Sequence, residues 1–112
     1  MPGLERAVTN LTFTCIGKVT SGYFMNVNRT QADSGDDVWG VVRTDGTDEP
    51  VSVAISGDTQ AYASGAFSEG DELEVGDGGT VVKFSGAGKA VGRAFEDAEP
   101  GDCPRILVYQ TK

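Results

Sequence analysis

The 112-residue chain contains no histidine. That removes the side chain that most often serves as general base near neutral pH and is the commonest metal ligand, and it makes a Ser-His-Asp or Cys-His nucleophile impossible. Long apolar runs are missing as well. The opening MPGLERAV has no apolar signal-peptide core, and nothing nears about 18 consecutive apolar residues, so neither a secretion signal nor a membrane span is expected, and synthesis is expected in the cytoplasm. Basic residues are few: nine Lys and Arg face 17 Asp and Glu, for a net charge of −8. They are spread along the chain, whereas a phosphate-neutralising surface needs them clustered, which argues against nucleic acid as a partner. Cys15 and Cys103, the two cysteines, lack CxxC spacing and sit in apolar strand-like or turn contexts. They read as buried or incidental thiols rather than a metal site, with a disulfide between them left open.

The acidic residues do not assemble into chemistry either. Asp36 with Asp37, and Asp71 with Glu72, are sequence neighbours that point to opposite faces of a strand and cannot converge on one bond. The loops Asp33–Asp37 and Asp45–Glu49 offer hard oxygen ligands, but neither has the spaced D-x-D-x-D-G order of a calcium loop, and DGGTVV lacks the repeated nonapeptide of a calcium-binding β-helix. GDGG is not followed by a helix or a Lys-Ser/Thr pair, so it is no phosphate cradle. No catalytic residue, metal ligand or cofactor is therefore expected, and the chain reads as a non-enzyme.

What is present is glycine, 16 residues of it, and period-two alternation. Leu11, Phe13 and Cys15 face one side while Asn10, Thr12 and Thr14 face the other, the pattern of a half-buried strand. The same reading gives strands at Tyr23–Val27, Val38–Arg43, Val51–Ile55, Asp71–Val75, Thr80–Phe84, Ala90–Phe95 and Arg105–Gln110, punctuated by Gly, Asp and Pro. Together they predict an all-β fold, a small single-domain β-barrel or β-sandwich with short strands, occupying residues 10–112 behind an extended N-terminal arm, residues 1–9. Val75-Gly76-Asp77-Gly78-Gly79-Thr80-Val81 places Asp-Gly between two alternating runs and predicts a tight hairpin with positive φ. The best helical window, Thr59–Phe67, is short and broken by glycine, so at most one helical turn is expected.

An internal echo links VWGVVRTDGTDEPVSVAI (38–55) with AVGRAFEDAEPGDCPRILVY (90–109), matching Gly40 to Gly92 and Asp45 to Asp97. Two hairpin connections in a glycine-rich β protein also look alike by chance, so duplication and coincidence both stand at this point. Two strands are apolar on both sides. Ile106 and Val108 share one face of the last strand and Leu107 and Tyr109 the other, while Trp39 stands opposite Val38 and Val42. Such a strand is either central in the sheet or has one face against a partner, which makes Trp39, Leu107 and Tyr109 candidate subunit-interface residues.

The order of features from residue 38 to 110 resembles that of bacteriophage capsid decoration proteins, also called cement or head-stabilising proteins. It runs from an alternating strand ending in Ser-Gly, through a small-residue stretch, S-x-G-D before a short strand and a D-G hairpin, to V-G-R-A, an acidic E-P-G-D turn and a closing R-I-L-V strand. The resemblance implies a compact β domain that binds the outer surface of an expanded capsid and stabilises it, with the major capsid protein as partner and a homo-trimer as the form on the shell. It carries over no catalytic residues. In that setting the arm, with Leu4 and Val8 as apolar anchors, is the candidate capsid-binding segment. The alternative from another class is a carbohydrate- or receptor-binding β module of a phage tail or appendage, using Trp39 beside Asp36 and Asp37, or Tyr23 near Asn26 and Asn28.

Overall fold

Strand β6, Pro50–Gln60, is the longest element and the axis of the molecule. Its first half alternates Val51, Val53 and Ile55 as the sequence requires, and Gly57, at φ +103°, lets the strand bend and continue through a conformation that other residues adopt only with strain. The expected strand therefore runs on past Ile55 to Gln60. The start of the helical window at Thr59 is instead buried strand, because its pairing with the C-terminal strand outweighs a weak local propensity.

A computed structural model describes residues 8–86 and 89–109. The other strands are β1 (Thr9–Thr14), β2 (Lys18–Val19), β3 (Phe24–Asn26), β4 (Val38–Val42), β5 (Gly46–Thr47), β7 (Glu72–Val75), β8 (Val81–Lys83), β9 (Gly92–Ala94) and β10 (Arg105–Val108). An eight-stranded sheet, curled into a half-barrel, has the order β3-β4-β6-β10-β9-β7-β8, with β1 pairing along β6; β2 and β5 form a separate two-stranded ribbon. The pairings between these strands are antiparallel, and an isolated parallel bridge joins Ala63 to Val81. β2 and β5 were not legible in the sequence, since two residues carry no period. β1 takes in Thr9, so the strand begins inside what reads as the arm; residues 1–7 lie outside the described residues.

The Asp-Gly hairpin joins β7 to β8, but it is longer than the tight turn expected. Gly76 N donates to Thr80 O at 2.8 Å, and a 3₁₀ turn spans Asp77–Gly79, the one helical turn among the described residues. Gly78 and Gly79 both have positive φ, +71° and +85°. A Cβ at Gly79 would lie 3.1 Å from Phe24 O, so the loop rests directly on β3. Gly78 N and Ser34 N donate to Asp33 Oδ1, and these bonds hold the Asp33 carboxyl below the usual aspartate value.

The echo between residues 38–55 and 90–109 proves to be part of a longer repetition. Met25 pairs with Gly40 as Leu73 pairs with Gly92, and Phe24 with Val41 as Glu72 with Arg93. Val42 faces Val53 as Ala94 faces Ile106. Leu11 faces Val53 as Thr59 faces Ile106, so β1 corresponds to the second half of β6. Gly22 N donates to Val42 O as Gly70 N donates to Ala94 O, each at 2.9 Å. Even the matched aspartates agree: Asp45 Oδ1 accepts from Ser21 N at 2.7 Å and Asp97 Oδ1 from Glu69 N at 2.8 Å. Chance likeness of two hairpins does not reproduce this many non-local bonds in register. The fold is two copies of one β unit, residues 9–56 and 57–109, sharing β6 end to end.

The units make two cores. Cys15, Val19, Met25, Val42, Val51 and Val53 fill the first, and Phe13 and Ile55 pack against it. The second is larger, with Leu73, Val75, Val81, Val91, Ile106 and Val108 from the second unit meeting Phe24, Ala32 and Val41 from the first. Each fully buried Leu, Ile or Phe among these stabilises the fold by roughly 1.5–3 kcal/mol. Both cysteines are free thiols, Cys15 buried and Cys103 half-buried. Burial pushes the Cys103 thiol up, so the less reactive protonated form is favoured. In native protein Cys103 should be alkylated slowly and Cys15 hardly at all, with two thiols titrating after denaturation without reductant; fewer than two would contradict the free-thiol assignment.

Candidate protein-interaction surface

The candidate residues fall on two neighbouring surfaces. Trp39 is on the first. β3 and β4 slip register between Met25 and Asn26, so that Gly40 faces Met25 but Val38 faces Asn26, leaving Trp39 as the extra residue of a bulge. From there its ring stacks on Phe13, centroids 5.3 Å apart at 29°, and its Nε1 donates to Val27 O at 3.2 Å. Leu11 and Val27 extend this apolar patch and are exposed. The core position that its apolar flanks suggest for Trp39 is not what the fold gives: the ring lies at the surface because the bulge turns it out onto β1.

Leu107 and Tyr109 are on the second surface, both half-buried. Leu107 lies in register between Asp58 and Arg93. Tyr109 Oη donates to Glu72 Oε2 at 3.4 Å, and Arg93 Nη2 lies 3.7 Å from the same carboxylate. Burial first, and the nearby Glu72 charge second, push the Tyr109 hydroxyl above the usual tyrosine value. Trp39 and Tyr109 also line one cleft of about 250 Å³, which includes Val91, Val108 and the Lys89–Asp37 ion pair. The structure thus brings Trp39 and Tyr109 to one cleft, while Leu107 stands apart from it. Val8 is half-buried just before β1, and Leu4 lies outside the described residues.

The acidic loops are occupied by their own backbone. Asp36 Oδ2 accepts from Asp33 N and Asn26 Nδ2, Asp48 Oδ1 from Gly17 N, and Glu49 Oε2 from Thr47 N. Among the described residues no group of three or more acidic, Cys or His side chains is placed to hold a metal ion. Asn26 Oδ1 accepts from the amides of Asn28 and Thr30, and Tyr23 stacks on Tyr62 with centroids 5.0 Å apart, so the polar and aromatic groups a sugar would need near Tyr23 are engaged with one another. A concavity of about 560 Å³ is lined by Cys103 and by Arg105 with its ion-pair partner Asp58. Burial shifts the Cys103 thiol toward its protonated, less nucleophilic form.

The surface thus carries exposed apolar side chains beside acidic loops that bond to their own backbone. A sequence profile of the phage cement proteins matches residues 5–110. The chain belongs to the phage cement protein family. The head fiber gp8.5 N base of bacteriophage phi29 has the same fold, with a TM-score of 0.72 at 19% identity over 95% of this chain and 98% of that one. No curated protein matches. As a cement protein the chain has a structural, capsid-binding role in the virion. Among the described residues no helix is long and apolar enough to cross a membrane. Leu11 and Val27 are among the exposed apolar residues that sequence reasoning missed, since alternation marks Leu11 as core-facing and says nothing of where the cover over that face ends.

Proposed function

We propose that this cement protein binds the outer surface of the expanded capsid through the major capsid protein, as a homo-trimer, and stabilises the shell without catalysing any reaction. Family membership over nearly the whole chain carries this reading. Net charge supports the outer location, since a surface of −8 has no attraction to packaged nucleic acid. Multiple contacts from one oligomer raise the effective concentration at each further contact, so modest individual affinities suffice. The arm, with Leu4 and Val8, is the capsid-binding segment, and Trp39, Leu107 and Tyr109 serve contacts between subunits. The polypeptide is made in the host cytoplasm and acts on the assembled head.

The test is shell stability. Full-length protein added to expanded shells should raise the temperature at which they disrupt. Protein lacking residues 1–8, which leaves β1 whole, should keep its far-UV circular dichroism and melting temperature yet give at least a tenfold weaker effect per mole, since the sequence of this segment has no alternating apolar face to contribute to a core. Equal protection by both forms would remove the arm from the contact.

A further inference from the structure

The two units treat matching positions very differently. Thr59, Val75 and Val91 of the second unit are 6%, 5% and 7% exposed. Their counterparts in the first unit, by the pairings that relate the two, are Leu11, Val27 and Trp39, which are 47%, 43% and 38% exposed. The first unit therefore carries apolar side chains at the positions where its repeat is covered.

What covers the second unit is the first. Phe24, Ala32 and Val41 pack into one cluster with Val75, Val91 and Val108. The counterparts of these three covering residues are Glu72, Phe84 and Arg93, because Phe24 pairs with Val41 as Glu72 pairs with Arg93, and Ala32 N donates to Phe24 O as Phe84 N donates to Glu72 O, both at 2.8 Å. Leu107, matching Ala54, continues that surface.

We infer that the Leu11–Val27–Trp39 patch docks a second copy of this chain through that copy's Glu72–Phe84–Arg93 surface and its flanking Leu107, repeating between chains the contact that joins the two units within one. The proposal rests on the self-association put forward above and supplies its geometry. The contact is heterologous: each chain presents a patch and, adjoining it across the Trp39–Tyr109 cleft, a different docking surface, so that copies join head to tail, the arrangement that a closed trimer requires. Glu72 and Arg93 pair with each other at 3.7 Å, so docking brings no uncompensated charge onto the apolar patch.

A mixing experiment reads this contact directly. Leu11→Asp with Val27→Asp removes the patch, and Leu107→Asp removes the docking surface; should Leu107→Asp fail to fold by circular dichroism, Arg93→Glu, at an exposed position of the same surface, replaces it. In sedimentation analysis the unaltered chain should associate, each variant alone should be monomeric, and an equimolar mixture should form a one-to-one dimer, since each variant supplies what the other lacks. Trp39 is the chain's one tryptophan, so its emission should move to shorter wavelength in the unaltered chain and in the mixture, and not in either variant alone. If both docking-surface variants keep the size of the unaltered chain, the interface lies elsewhere; this inference falls and self-association stands. An unaltered chain that stays monomeric across the accessible concentration range overturns both and leaves the patch to the capsid protein.

Discussion

Alanine at Gly40 or at Gly92 should destabilise the protein by about 3 kcal/mol or more, the upper end for overpacking, and lower its melting temperature by on the order of 10 °C. A Cβ at Gly40 would stand 2.0 Å from Ala54 O, and one at Gly92 2.2 Å from Leu107 O. Both obstacles are backbone atoms in paired strands, which no rotamer change moves aside. Neither glycine has positive φ, so the requirement is one of space between strands and not of backbone conformation. Because the two positions are counterparts in the repeat, the losses should be similar. Gly65→Ala is the control: its Cβ would meet Val82 Cγ1 at 3.5 Å, an ordinary contact, and the effect should stay within about 0.5 kcal/mol. Urea and thermal unfolding measure all three. A loss below 1 kcal/mol at Gly40 and Gly92 would mean that the sheet parts there without cost.

Phe24→Ala should cost about 3–5 kcal/mol, the range for emptying a buried aromatic site. Phe24 is fully buried, yet it belongs to the first unit while its side chain packs in the core of the second. Its neighbour Met25 points the other way, into the first unit's own core. Met25→Ala should also destabilise, by roughly 2–5 kcal/mol, but the two should differ in kind. Loss of Phe24 loosens the joint between units, so native-state hydrogen exchange should quicken in β9 and β10 as well as in β3, whereas loss of Met25 should act mainly on β1, β3 and β4. Equal patterns for the two variants would contradict the division into two cores.

These positions also show how much the sequence discloses. Alternation located every strand long enough to alternate, and the Gly40–Gly92 and Asp45–Asp97 matches pointed to the repeat, because strand crowding and loop capping demand the same residue types in both units. The two-residue strands β2 and β5 have no period to read. The run of β6 beyond Gly57 was hidden because a glycine and small polar residues look like the end of a strand, and only pairing with β10 keeps them extended. Trp39, Leu107 and Tyr109 stood out as apolar side chains beyond the needs of one core face. Which of them share a surface depends on the bulge at Asn26 and Val38 and on the placement of one unit against the other, both tertiary facts. Leu11 is the sharpest case, since its alternation is that of a core residue and only the lack of a covering unit exposes it.

Co-sedimentation with expanded capsids whose decoration sites are vacant tests the central claim most directly. The full-length protein should pellet with the shells and saturate at a fixed number of copies per particle. Protein that stays in the supernatant over a range of concentrations, with matched capsids bearing vacant sites, would contradict it.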